Sequence, residues 1–365
     1  MAAADPAEQV AAAEDLPRST GFLAVDSDQM VAATASLPDQ IAAALARPPM
    51  LAGPRPGPEP SHVLVVGMGG SGVAGKVAVA LAAGSSKIPV VYAGGYRLPA
   101  FVGPDSVVVA VSFSGETEET IELSTAALQR RASLVAISCG GELAHLAERA
   151  GARTYEIGAG ISHPRAAIGA MTAPLLLLCE ELGLISEVRA GLEAAVSQLR
   201  LRARECAGGG GLARQVADEI GRTIPLVHGA SGLGAVAAER FKTQVNENAK
   251  APCFSGTEPE VCHNEICGFG QGGDITRQVL TLVNLRLGDE HTQVRRRFRL
   301  FAELADETVA RVIDIEAAGE GRLARFFDAV MIGDFASLHM AGREDVDPGP
   351  NPVLDEIKLR LAEGP

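Results

Sequence analysis

Two glycine-rich turns carry the residues best suited to hold an anion. The first, Gly67-Met-Gly-Gly-Ser-Gly72, closes an apolar run beginning at Leu64 and opens onto an alanine-rich helical pattern. The second, Ser112-Phe-Ser-Gly-Glu-Thr117, sits in the same way between an apolar run and a helical one. Such a βα turn presents backbone N–H groups and hydroxyls at a helix N-terminus, where the helix dipole favours negative charge. Gly70, Ser71, Ser112, Ser114 and Thr117 are therefore the candidate ligands of a phosphate group. Helix capping alone explains one hydroxyl. It does not explain three beside a second Gly/Ser turn, and three can share the oxygens of one phosphate.

Other phosphate-binding schemes fit less well. Gly67-x-Gly69-x-x-Gly72 matches a dinucleotide fingerprint, but the second strand ends Val90-Val-Tyr-Ala-Gly-Gly95, with no acid to hold a ribose. Gly75-Lys76 is followed by Val77, where a nucleotide-binding P-loop needs Ser or Thr for magnesium. The hydroxyl of Ser71 points instead to a phosphomonoester held without metal. The plainer alternative is that these glycines only permit close strand-to-helix packing. Cys262-His263-x-x-x-Cys267 lacks the second ligand pair of a zinc site. No cofactor is implied.

Composition narrows the partner class. The formal net charge is −13 with no block of like charge, which argues against a nucleic-acid surface and leaves room for a small basic pocket. Arg295, Arg296, Arg297 and Arg299 read as a solvated face or a subunit contact. The acidic N-terminus lacks the basic and apolar regions of a secretory signal, and six scattered cysteines suit reduced thiols, so a cytoplasmic protein is expected. The apolar run from Ala166 to Cys179 is 14 residues and contains Pro174. It is shorter than the roughly 20 residues of a membrane span and reads as a buried helix.

The positioning elements follow from the hydrophobic pattern. With 365 residues, 47% hydrophobic and only 4% aromatic, the chain suits two domains whose cores are Ala, Val, Leu and Ile. Residues 1–20 read as loose, residues 26–47 as helix interrupted near Leu37-Pro38, and 47–60 as a proline-rich linker. Strands are expected near 62–67, 88–93, 106–112, 133–138 and 153–156, with helices at 70–84, 115–131 and 141–150. This alternation predicts an α/β fold with a parallel sheet covered on both faces. Helical periodicity runs on through 165–205 to the Gly208–Gly211 boundary. A second unit then begins with a strand at 224–231 and a helix at 234–249, with strands near 278–286 and 328–333 and a final helix at 351–362. The division is thus 1–60, 61–207 and 208–365.

Several motifs, taken in order, resemble the sugar isomerase (SIS) domain, and the second half resembles the bifunctional phosphoglucose/phosphomannose isomerase family. They are GMGGSG (67–72), SFSGETEET (112–120), HPRAA (163–167), NENAK (246–250), EPEVCHNEICGF (258–269) and DPGPNPVLDEIKLRL (347–361). The resemblance covers roughly residues 25–362 and implies two SIS-like domains, with a C-terminal helix completing the site. It implies that Ser71, Ser112, Ser114 and Thr117 hold the substrate phosphate and that Glu247 is the catalytic base. Arg165 would face the enediolate. His263 and Lys358 would open the sugar ring, the histidine coming from the partner subunit of a homodimer. Asn351 stands where the family often has Thr, at a position tied to substrate specificity.

The chemistry these residues could perform is an aldose–ketose isomerisation of glucose 6-phosphate, and of mannose 6-phosphate, with fructose 6-phosphate. It requires a base to take the C2 proton and return it to C1, a cation beside the enediolate, and a proton carrier at the ring oxygen. Neither metal nor redox cofactor is needed. The alternatives are a non-catalytic sugar-phosphate sensor and an isomerase of a different sugar phosphate. A sensor has no use for a base.

Overall fold

The computed structural model describes residues 22–51, 59–158, 160–272 and 274–363. Residues 1–20 and residues 52–58 of the proline-rich linker lie outside them. Helices α1 (Met30–Ala35) and α2 (Leu37–Leu45) meet at Ser36. The interruption expected near Leu37-Pro38 falls just before those residues. Pro38 sits in the first turn of α2, where its missing N–H breaks no helical bond.

The first sheet is built from β1 (His62–Val66), α3 (Gly69–Ala82), β2 (Val90–Ala93), β3 (Ser106–Ser112), α4 (Glu118–Gln129), β4 (Ser133–Ser138), α5 (Gly141–Arg149) and β5 (Arg153–Glu156). Its strands are all parallel, in the order β2-β1-β3-β4-β5, with Val63 paired to both Val90 and Val107. Val63, Val65, Val107, Val109 and Val111 face one core, and Leu64, Val66, Val108 and Ala110 face the other. Burial on both faces is what makes these strands read as continuous apolar runs. The strand order reverses between β1 and β3, so a crevice opens at their C-terminal ends. Both glycine turns lie there.

Helices α6 (Ile168–Glu181), α7 (Val188–Ala207) and α8 (Gly211–Ile220) lead to the second sheet. The buried helix expected at 166–179 is α6. The rest of the chain is β6 (Ile224–Ala230), α9 (Leu233–Asn248), β7 (Phe254–Glu258), α10 (Ile275–Val279), β8 (Leu280–Arg286), α11 (Thr292–Ala305), β9 (Arg311–Glu316), α12 (Gly321–Arg343) and α13 (Pro352–Ala362). Its four strands are again all parallel, in the order β7-β6-β8-β9. One apolar core contains Val65 and Val109 of the first sheet together with Val227 and Val283 of the second. No helix among the described residues is long and apolar enough to cross a membrane.

Residues 328–333, expected as a strand, are the middle of α12. Phe326, Phe327, Val330, Met331, Phe335 and Leu338 are all buried, and a helix apolar on every side loses the periodicity that tells it from a strand. The strand is β9 instead, where Arg311-Val-Ile-Asp-Ile-Glu316 alternates polar and apolar residues. β7 is a further strand without a strong apolar signal. The strand expected at 278–286 begins two residues later, at Leu280, because residues 275–279 form α10. Within α12, buried Asp328 accepts hydrogen bonds from Arg202 Nε at 2.9 Å and Nη2 at 3.0 Å, tying α12 to α7.

His339, near the end of α12, is 6% exposed and stacks on Phe22 with ring centroids 4.0 Å apart. Burial pushes its pKa down from 6.5 to about 4, with Arg214 adding to the fall and Asp218 opposing it. The folded value lies below the unfolded one, so the unfolded chain gains the proton first as pH drops. The stability tied to neutral His339 is intact above pH 6.5 and drains toward pH 4 at ~1.4 kcal/mol per unit. His339→Leu should keep the contact with Phe22 and flatten this dependence. Melting temperatures recorded across that range should fall less steeply for the variant; parallel profiles would contradict the assignment.

Candidate active site

The cradle is formed by the ends of β1 and β3. Gly67 follows β1 so closely beside β3 that a Cβ there would lie 2.8 Å from Val111 O, and Gly69 takes a φ of +53°. Tyr92 Oη donates to Gly67 O at 2.9 Å, holding the turn from β2. Ser71, buried in the first turn of α3, donates to Met171 Sδ at 3.1 Å and accepts from Phe113 N at 3.4 Å. Thus the two glycine turns touch.

In the second turn Ser112 Oγ lies 2.9 Å from Thr117 Oγ1 and accepts from Gly115 N at 3.1 Å. Ser114 Oγ accepts from Glu116 N at 3.2 Å and remains exposed. Helix α4 starts at Glu118, so residues 115–117, expected as helix, belong to the turn, and Thr117 is its N-cap. Gly115 is indispensable to this path. Its φ is +76°, and a Cβ would fall 1.9 Å from Gly140 O.

The second group of site residues comes from α9 and the turn before α6. On α9, Leu233, Val236, Ala237, Arg240, Phe241, Gln244, Val245 and Asn248 recur at helical spacing and are buried. That stripe takes Asn248 inward and leaves Glu247 on its edge, with a side chain 34% exposed. Arg165 lies in a 3-10 turn, Pro164–Ala166, with its side chain 8% exposed. Its Nη1 is 3.7 Å from Glu247 Oε2. Its Nε donates to Asn248 Oδ1 at 2.9 Å, and its Nη2 to Pro348 O at 2.6 Å and to Gly349 O.

A second layer fixes these groups. Asn248 Nδ2 donates to Ser337 Oγ at 2.9 Å. Arg240 Nη2 donates to Arg165 O at 2.6 Å and to Asp334 Oδ2 at 2.7 Å. Burial pushes the Asp334 carboxyl up, and Arg240 and Gln244 oppose this. Burial also pushes the Arg165 guanidinium below its usual value, against the pull of Glu247 and Asp28. Lys250, at a φ of +54°, donates to Glu247 O and to Pro348 O. Its pKa is lowered by burial and then by Arg165.

The two glycine turns and the Arg165–Glu247 group are contiguous. A Cβ on Gly70 would lie 3.2 Å from Pro164 O, one residue from Arg165. Asn351 lies two residues after Gly349, one of the two residues whose carbonyls Arg165 binds. His263 and Lys358 stand apart: His263 is exposed on the turn after β7, and Lys358 is 78% exposed on α13, 3.8 Å from Asp355. Within one chain, neither meets Glu247 in an ion pair or hydrogen bond among the described residues. The roles of Asn248, Lys250 and Ser337 carry little signal in sequence, although NENAK contains the first two.

The family model for the SIS domain matches residues 59–178, and that for the bacterial phospho-glucose isomerase C-terminal SIS domain matches residues 211–361. A bifunctional phosphoglucose/phosphomannose isomerase of Caldicellulosiruptor bescii is 35% identical over 82% of this chain and 89% of its own. One from Thermoplasma acidophilum is 29% identical over 83% and 90%. A glucose-6-phosphate isomerase like protein of Thermus thermophilus, known from its crystal structure, has the same fold at 18% identity. Its TM-score is 0.58, with 89% of this chain and 93% of that one covered.

Gly115→Ala tests the cradle geometry. The strained φ and the collision with Gly140 O should lower stability by more than the ~1 kcal/mol of an ordinary left-handed substitution. Affinity for inorganic phosphate, measured by calorimetry, should fall about tenfold or more. Unchanged affinity would separate this turn from anion binding.

Proposed function

This chain belongs to the bifunctional phosphoglucose/phosphomannose isomerase family, and on that premise we propose that it interconverts glucose 6-phosphate and mannose 6-phosphate with fructose 6-phosphate. The observation that carries the reading is the 3.7 Å approach of Glu247 to the buried Arg165, next to a cradle of hydroxyls. A sensor needs the cradle alone. The units divide at 207/208, the first supplying the cradle and the second the base.

The cradle grips the phosphate in ground and transition states alike, so it contributes mainly to binding. Glu247 removes the C2 proton and returns it to C1. Arg165 offsets the charge on the enediolate oxygens, and its fixed hydrogen bonds mean that little reorganisation accompanies the charge. His263 of a second subunit and Lys358 transfer the protons that open the ring. The exposed apolar residues Val353, Leu354, Ile357 and Leu361 on α13 support a homodimer in which this helix is covered. Asn351, at the start of α13, acts on the substrate's 2-hydroxyl and biases the choice of epimer.

Purified protein treated with a chelator should convert fructose 6-phosphate into both aldose phosphates. Glu247→Gln should lower kcat by ~10²–10⁴ with sugar-phosphate binding retained. Near-normal turnover would remove Glu247 from the mechanism.

Hybrid dimers test the shared site. Glu247→Gln co-refolded with His263→Ala creates one site with both defects and one with neither, so about half the wild-type activity per hybrid should return. A mixture that stays inactive despite verified subunit exchange would place each site within one chain.

A further inference from the structure

His163, two residues before Arg165, has its Nε2 2.7 Å from Asp28 Oδ2. The chemistry above uses neither residue. No hydrogen bond reaches the other ring nitrogen, Nδ1, among the described residues, and the side chains are 24% and 35% exposed. The pair borders the cluster around Glu247. The Asp28 carboxylate fills the space a Cβ on Gly349 would need, and Gly349 O is bound by Arg165. On the other side, Pro164 O lies against Gly70 of the cradle. The segment His163–Arg165 therefore runs between the phosphate end and the enediolate end of the site.

The isomerisation needs a second proton carrier. An aldose has its carbonyl at C1 and a hydroxyl at C2, and the ketose has the reverse. Besides the carbon-bound proton that Glu247 moves, O2 must lose a proton and O1 must gain one. A neutral imidazole can take and give a proton at one nitrogen. A carboxylate on the other nitrogen fixes the tautomer and stabilises the transient imidazolium.

We propose that His163, oriented by Asp28, is a catalytic residue that carries the proton between O2 and O1 of the enediolate. The proposal rests on the isomerase reading. In the aldose-to-ketose direction, Glu247 takes the C2 proton, a C1=C2 bond forms, and the C1=O1 electron pair moves to O1. The O2–H proton passes to Nδ1 and from there to O1. C2=O2 then forms as Glu247 returns its proton to C1. Carboxylate and imidazole end as they began.

His163→Gln keeps a donor for Asp28, and so keeps the tether, but cannot shuttle a proton. Asp28→Asn keeps the size and removes the charge that holds the tautomer. Both are assayed on fructose 6-phosphate and on erythrose 4-phosphate, a four-carbon aldose phosphate that cannot close a ring. The relay predicts a kcat about 10²–10⁴ lower for His163→Gln on both substrates, with KM and Tm nearly unchanged, and a loss of about tenfold for Asp28→Asn. Wild-type kcat in His163→Gln would overturn the relay and leave a tether. A loss confined to fructose 6-phosphate would overturn it too, making His163 a ring-opening group. If His163→Gln does not fold, Asp28→Asn decides: a lower kcat at unchanged KM supports the relay, and an unchanged kcat overturns it. Wild-type protein inactive on both substrates would instead defeat the isomerase reading itself.

Discussion

The burial of one guanidinium organises this molecule. Arg165 sits almost out of solvent against the end of α9, and a charge placed there must be met by acceptors or the fold loses several kcal/mol. Asn248, Pro348 and Gly349 supply neutral acceptors, and Glu247 supplies the opposing charge at a longer distance. Each comes from the second half of the chain, whereas Arg165 precedes α6. Satisfying this one group fixes the end of α9, the segment before α13 and the turn beside the cradle in a common frame.

The division of labour among those acceptors matters for chemistry. The close hydrogen bonds go to an amide and two carbonyls, which hold the guanidinium without neutralising it. Glu247 lies beyond hydrogen-bond distance of Arg165, and its carboxylate remains partly open to solvent. Arg240 reinforces the arrangement from below by binding both Arg165 O and Asp334, so the cation is held by its backbone as well as its side chain. An electrostatic stabiliser fixed in this way changes little when charge develops nearby.

The cradle was legible in sequence because its signals are local. A strand, a glycine turn and a helix start lie within a dozen residues, and the hydroxyls of Ser112 and Thr117 occupy positions that a strand end and an N-cap dictate. The meeting of Arg165 with Glu247 was legible only through resemblance, since it joins residues 82 apart through tertiary packing. The carbonyls of Pro348 and Gly349 left no signature, because any residue has a backbone oxygen. Asp28 likewise had no mark of its own, and its pairing with His163 spans 135 residues. The misplaced strand has a similar cause: at 328–333 the burial of every face erased the helical period, while the polar half of β9 hid an edge strand.

Lys358 and His263 stand apart from the Arg165–Glu247 group within this chain. Both side chains are exposed: Lys358 is on α13, which also exposes Val353, Leu354, Ile357 and Leu361, and His263 is on the turn after β7, whose Val261 is packed into the core. The central claim, that a fixed Arg165 stabilises an enediolate formed by proton abstraction at Glu247, is tested most directly by isotope transfer. Fructose 6-phosphate is equilibrated with the wild-type protein in deuterium oxide, and the products are read by NMR. An enediolate protonated by an exchanging carboxylate predicts solvent deuterium at C2 of the aldose phosphate and at one position on C1 of the ketose. Aldose phosphate formed over repeated turnovers with no solvent deuterium at C2 would mean direct hydride transfer between the carbons, and would contradict the account.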